Sequence, residues 1–95
     1  MEMKMKIETL LKEIGVPSHL KGHLYLSEAL QGCIDGACVD EALYEKIARK
    51  CDTTSVRVRR AITHAMEIVS AREDNEKFAG NADFINALLQ KLNVL

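Results

Sequence analysis

The sequence has no tryptophan, a single proline (Pro17) and only four aromatic side chains. Its core must therefore be assembled from Leu, Ile, Val, Ala and Met. Long apolar runs are also missing, and none approaches the length of a membrane-spanning helix,. The N-terminal Met1-Glu2-Met3-Lys4-Met5-Lys6 is charged where a secretory signal would be apolar,. The expected location is cytoplasmic. No glycine-rich phosphate loop, nucleophile elbow or paired carboxylates at an evident pocket can be found, and no spacing links Ser, Cys and His as a catalytic set. The reading is not an enzyme, with no cofactor. Neither charge dominates: 13 Lys and Arg face 14 Asp and Glu, a net −1. Such a balance excludes a protein that coats polyanions indiscriminately.

Cysteine is scarce and odd in number: Cys33, Cys38 and Cys51. Three thiols in an intracellular chain argue against a disulfide framework. Zinc would need four ligands, and Cys33, Cys38, Cys51 and His64 are the set that could be named. Free cysteines more often serve as small buried hydrophobes, and no metal site is expected. His19 and His23 stand four apart, a spacing that can place two ligands on one helix face, but no acidic third ligand accompanies them.

What is present is helical periodicity. Ninety-five residues, 47% apolar and 28% charged, describe one domain, expected over 1–95,. Five helices are legible and no strand is, so the expected fold is all-α, a compact bundle of about five helices. The first runs over about 3–14, with Ile7, Leu10, Leu11 and Ile14 in one stripe, and Gly15 and Pro17 end it. The second covers about 18–31, with Leu20, Leu24, Ala29 and Leu30 as apolar positions. Gly22 inside it suits close approach by another helix or a phosphate, at a propensity cost of about 1 kcal/mol. The third covers about 40–50, with Ala42, Leu43, Ile47 and Ala48 inward. The fourth covers about 54–72, capped by Thr53 or Thr54. A polar link over 73–80 leads to a last helix capped by Asn81, with Phe84, Ile85, Leu88, Leu89 and Leu92 on its apolar face. Tyr25 and Tyr44 read as core residues with a wet hydroxyl.

The third helix, the turn Cys51-Asp52-Thr53-Thr54 and the fourth helix have the layout of a helix-turn-helix, whose second helix enters the major groove. Charge concentrates there. Between Lys46 and Arg60 six cations face one carboxylate, a net +5 that leaves −6 for the remainder. Val58, Ala61, Ile62, Ala65 and Val69 form the buried stripe of the fourth helix. At about 100° per residue Arg60, Thr63 and Glu67 fall opposite it, with Arg59 and His64 on its flanks. Arg57, Arg59 and Arg60 also oppose the helix dipole, which favours anions at that end. A phosphate or a guanine edge would supply the missing negative partner.

The residues resemble a known family. Glu13-Ile14-Gly15-Val16-Pro17 and His19-Leu20-Lys21-Gly22-His23-Leu24-Tyr25-Leu26 are similar to the EIGVPxHxKGYLYL stretch of the C-terminal DNA-binding (effector) domain of the stage zero sporulation master response regulator of spore-forming Firmicutes. Leu43-Tyr44, Ile47-Ala48, Thr53-Thr54, Arg57-Val58, Arg60-Ala61-Ile62, His64-Ala65, Phe84-Ile85 and Lys91-Leu92 continue the likeness over nearly the whole chain. The resemblance implies a sequence-specific transcription regulator of sporulation, with a recognition helix at about 54–71. Its partner would be double-stranded DNA carrying promoter boxes, read by a possible homodimer on tandem sites. No membrane or small-molecule substrate is implied, and the location becomes cytoplasmic and nucleoid-associated. Arg60 falls on a base-reading arginine. Lys21, Gly22, Thr54 and Ser55 fall on phosphate-contacting positions. The DNA-binding set is thus Lys21, Gly22, Thr54, Ser55, Arg57, Arg59, Arg60, Thr63 and His64.

Two positions depart from the family. Arg59 stands where glutamate is typical, and Thr63 where a second base-reading arginine is typical. Arg59 reads as a guanine or a phosphate contact, and Thr63 as a thymine-methyl contact or none. The segment between Arg72 and Phe84 is also shorter than in the family. An alternative reading is a protein-interaction module that pairs with a full-length regulator through its last helix and binds DNA only weakly.

Overall fold

The computed structural model describes residues 3–72 and 77–93. Among them are five helices and no strand: α1 (Met3–Ile14), α2 (Lys21–Ile34), α3 (Glu41–Lys50), α4 (Ser55–Arg72) and α5 (Asn81–Asn93). The all-helical expectation holds. Part of the anticipated 73–80 link, residues 73–76, lies outside the described residues.

Helix α2 is the centre of the packing and touches each of the other four helices. Its buried face is Gly22, Tyr25, Leu26, Ala29 and Leu30. Leu24, expected inside, is 48% exposed. The helix starts at Lys21 rather than near Ser18, because the chain first makes a turn in which the Leu20 amide donates to the Pro17 carbonyl at 3.2 Å. Leu20 then takes the N-cap position without a side-chain cap. The helix also runs three residues beyond Gln31, to Ile34.

Local chemistry explains the other ends. Gly15 has φ 92°, the left-handed conformation that glycine adopts without a Cβ penalty,. Its amide donates to the Lys12 carbonyl at 3.2 Å, and the Val16 amide to the Leu11 carbonyl at 2.9 Å. This double bond pattern closes α1, and Val16 is buried beneath it,. Helix α3 begins after Asp40, whose Oδ1 accepts the Leu43 amide at 3.1 Å,. Its inward residues are Leu43, Tyr44, Ile47 and Ala48. Ala42 lies exposed instead, because it falls nearly opposite the mean direction of these four residues around the helix,.

Helix α5 buries its apolar face in this same core. Phe84 and Ile85 are 0% exposed, Leu88 1% and Leu92 5%. It packs against α1, α2 and α4. Asn81, expected as its cap, is its first residue, and the Phe84 amide donates to the Gly80 carbonyl at 3.0 Å. The Asp83 carboxylate closes the same turn by accepting the Ala79 amide at 3.0 Å. That leaves the Asn81 side chain for another purpose, described below. No described polar or charged side chain is fully buried, and none of the described buried polar atoms lacks a partner.

Candidate nucleic-acid interface

Helices α3 and α4 pack together across a tight turn. The turn has a specific mechanism. Asp52 takes φ 55°, the one described non-glycine residue with positive φ. Aspartate tolerates that conformation better than most side chains. The Thr53 amide then reaches back to the Ala48 carbonyl at 2.9 Å, and the Cys51 amide to Ile47 at 2.9 Å. The α3 end is thereby closed as the α1 end is. Thr54 opens α4: its Oγ1 accepts the Arg57 amide at 3.2 Å, and its carbonyl accepts the Val58 amide at 3.0 Å. Of the two threonines expected as caps, Thr54 performs that function.

Val58, Ile62, Ala65 and Val69 are the buried residues of α4. Ala61, expected with them, is only half-buried, on the edge facing α2. On the opposite side Val56, Arg60, Glu67 and Ala71 are exposed, with Arg57 and His64 exposed beside them. No acidic side chain stands in the first turn of α4. Its partial positive charge is therefore reinforced by arginines instead of being neutralised. Val56, Arg59, Arg60, Thr63 and Glu67 line a shallow open depression on this face.

Two elements flank the helix. On one edge α2 comes close: a Cβ on Gly22 would meet the Ala61 carbonyl oxygen at 2.6 Å and the Ala65 Cβ at 3.1 Å. Gly22 is thus buried by helix packing, and only its backbone remains for a phosphate. Its neighbour Lys21, the first residue of α2, is exposed beside that edge. On the other edge α5 begins. Asn81 Nδ2 donates to the Arg59 carbonyl at 3.1 Å, and Asn81 Oδ1 accepts the Thr63 hydroxyl at 3.0 Å. Thr63, expected on the open face, is half-buried because α5 reaches it. Burial pushes the Tyr44 phenol up from its ordinary value, with the Asn81 amide and the Arg59 charge pulling the other way. The start of α5 thus meets both α3 and α4.

Arg59 is engaged at both ends. Its Nη1 lies 3.2 Å from Glu41 Oε1 in a half-exposed ion pair. Lys50 pairs with Glu28 at 2.8 Å, and that hydrogen bond raises the lysine above its ordinary value. Among the described residues no such pair holds Lys46, Arg49, Arg57 or Arg60. The structure therefore brings Thr54, Ser55, Arg57, Arg60 and His64 together on or beside one accessible face. It gives Arg59 and Thr63 partners inside the protein and puts Gly22 into a helix contact. Glu41, Asn81 and Val56 belong to the neighbourhood as well. Val56 could have been found from the same helical wheel that placed Arg60. The partners of Glu41 and Asn81 lie eighteen or more residues away, and no sequence pattern announces them.

Among the described residues no group of three or more His, Cys, Asp and Glu is placed to hold a metal ion. Cys33 and Cys51 pack against the core, and Cys38 is exposed. Burial raises both the Cys33 and Cys51 thiols, which makes them poor nucleophiles. No helix of the described residues is long and apolar enough to cross a membrane.

An all-helical domain that leaves one basic helix face open belongs to the class that supplies helical DNA-binding domains. Residues 7–88 match the family described as Sporulation initiation factor Spo0A C terminal, and the chain belongs to that family. It is a family of DNA-binding domains of sporulation regulators, and not of enzymes.

Proposed function

We propose that this domain is a sequence-specific transcription regulator that lays the N-terminal half of α4 in the major groove of promoter DNA. The observation that carries the reading is the position of Arg60. It is exposed, opposite the buried stripe of α4 and near the positive end of the helix, with no ion-pair partner among the described residues. An arginine so placed can present two parallel donors to guanine O6 and N7. Arg57 and Lys21 supply phosphate contacts on the α2 side, and Thr54 and Ser55 offer the helix start. His64 sits one turn beyond Arg60 on the same face. Arg59 contributes positive charge at the edge, and Thr63 at most a methyl contact. We infer that it acts in the cytoplasm at the nucleoid, and that repeated promoter boxes would be read by two copies of the domain side by side.

The alternative, pairing with a full-length regulator through α5, finds less support. The apolar face of α5 that would do the pairing is used up in the domain's own core.

Selection from a random duplex library at about 150 mM salt, where specific and non-specific binding separate, tests the reading. A box is expected to emerge, and Arg60→Ala is expected to lose about 1–3 kcal/mol on it and relax preference at one base pair. An Arg60→Ala variant that discriminates the box from a scrambled duplex as well as the parent does would remove Arg60 from its role.

A further inference from the structure

Val56 is 43% exposed, one of four large hydrophobics so exposed among the described residues. It is the second residue of α4 and takes no part in the core. The fold gains nothing from it there. A β-branched side chain is a poor helix former, and the first turn favours small polar or acidic residues. Its surroundings are those of the proposed interface: it lines the same open depression as Arg59, Arg60, Thr63 and Glu67.

From this, and resting on the proposed DNA reading, we infer that Val56 is a specificity-determining residue that packs its methyl groups against the C5-methyl of a thymine. The chemistry is simple. Of the four bases only thymine carries an apolar group into the major groove. The charges around Val56 cannot recognise that group, and an isopropyl side chain can. One helical turn separates Val56 from Arg60, a rise of roughly 6 Å. That corresponds to about two base steps at about 3.4 Å each. A helix lying along the groove therefore sets the thymine within about two base pairs of the base read by Arg60. The pair Val56 and Arg60 reads a guanine with a thymine close by.

The test uses the whole chain and the box enriched from the random library. Each thymine within two or three base pairs of the Arg60-dependent base is replaced singly by uracil, which deletes only the methyl group. Binding is measured for the parent and for Val56→Ser and Val56→Ala. One replacement is expected to weaken the parent about fourfold, the factor that corresponds to about 0.8 kcal/mol for one buried methylene-sized group. The same replacement is expected to leave both variants unchanged, while their preference at the Arg60-dependent base persists. Equal sensitivity of parent and variants to every replacement overturns the Val56 contact and leaves the DNA reading standing. A library that yields no box at all overturns both.

Discussion

Gly22 and Ala61 meet so closely that no side chain fits between them. A Cβ on Gly22 would lie 2.6 Å from the Ala61 carbonyl oxygen, a backbone atom in the middle of α4. Gly22→Ala must push α2 and α4 apart. Overpacking of this kind typically costs about 1–3 kcal/mol, well above the helix propensity that alanine recovers. Urea unfolding is expected to show that loss. Unchanged stability would mean that the two helices are not held at this distance in solution.

Glu41 holds the Arg59 guanidinium at the edge of the proposed interface. Both side chains are roughly half-exposed, so Glu41→Gln is expected to change stability by less than about 1 kcal/mol. Its effect on DNA should be larger. Removing the carboxylate frees one arginine and one unit of repulsion. Affinity for all duplexes should rise, and the dependence of log K on log salt should steepen by up to about one. A titration across salt concentrations reads both quantities. No change in either would show that Arg59 is already available to DNA, or that it never comes near it.

Arg57 provides the opposite sign. It is exposed beside Arg60, with its amide held by the Thr54 hydroxyl. Arg57→Ala should weaken specific and scrambled duplexes alike and reduce the salt slope by about one. A loss confined to the specific box would turn Arg57 into a base reader.

Asn81 ties α5 to α4 through two hydrogen bonds, to the Arg59 carbonyl and the Thr63 hydroxyl. At about 0.5–1.5 kcal/mol for a typical bond, Asn81→Ala should destabilise the domain by about 1–3 kcal/mol. Thr63→Val, which keeps the shape and removes one bond, should cost less. Amide exchange in the first turn of α5 should quicken in the alanine variant before that of α2. Equal exchange throughout would mean that α5 is held by its apolar face alone.

The resolved proton equilibria all point one way. Cys33, Cys51 and Tyr44 are raised by burial, and Lys50 by the Glu28 hydrogen bond. For each, the folded form keeps its proton to higher pH than the unfolded chain. The folded state therefore binds more protons once the pH passes the ordinary thiol value of 9.0, and stability must fall as pH rises further. The urea midpoint should decline from about pH 9 upward. A midpoint that climbs in that range would contradict the direction of these shifts.

The sequence alone carried the number and kind of helices, because each rests on local rules. Ile7, Leu10, Leu11 and Ile14 repeat at helical spacing, Gly15 is the residue that a left-handed helix end requires, and Thr54 precedes a helical run as a cap should. Arg60 was legible too: the wheel that buries Val58, Ile62 and Ala65 leaves it outside. Leu24 and Ala42 misled because apolar character does not say which members of a short hydrophobic run meet a neighbour; Tyr25 and Leu26, and Leu43 and Tyr44, are the ones turned inward. Only the tertiary structure decided what Gly22, Glu41, Asn81 and Thr63 do. Each acts on a residue at least eighteen positions away, across a helix contact. Local periodicity determines which face of a helix is apolar. Which polar neighbour then arrives at its edge depends on how the other helices pack, and that arrangement decides how much of the arginine face remains open to DNA.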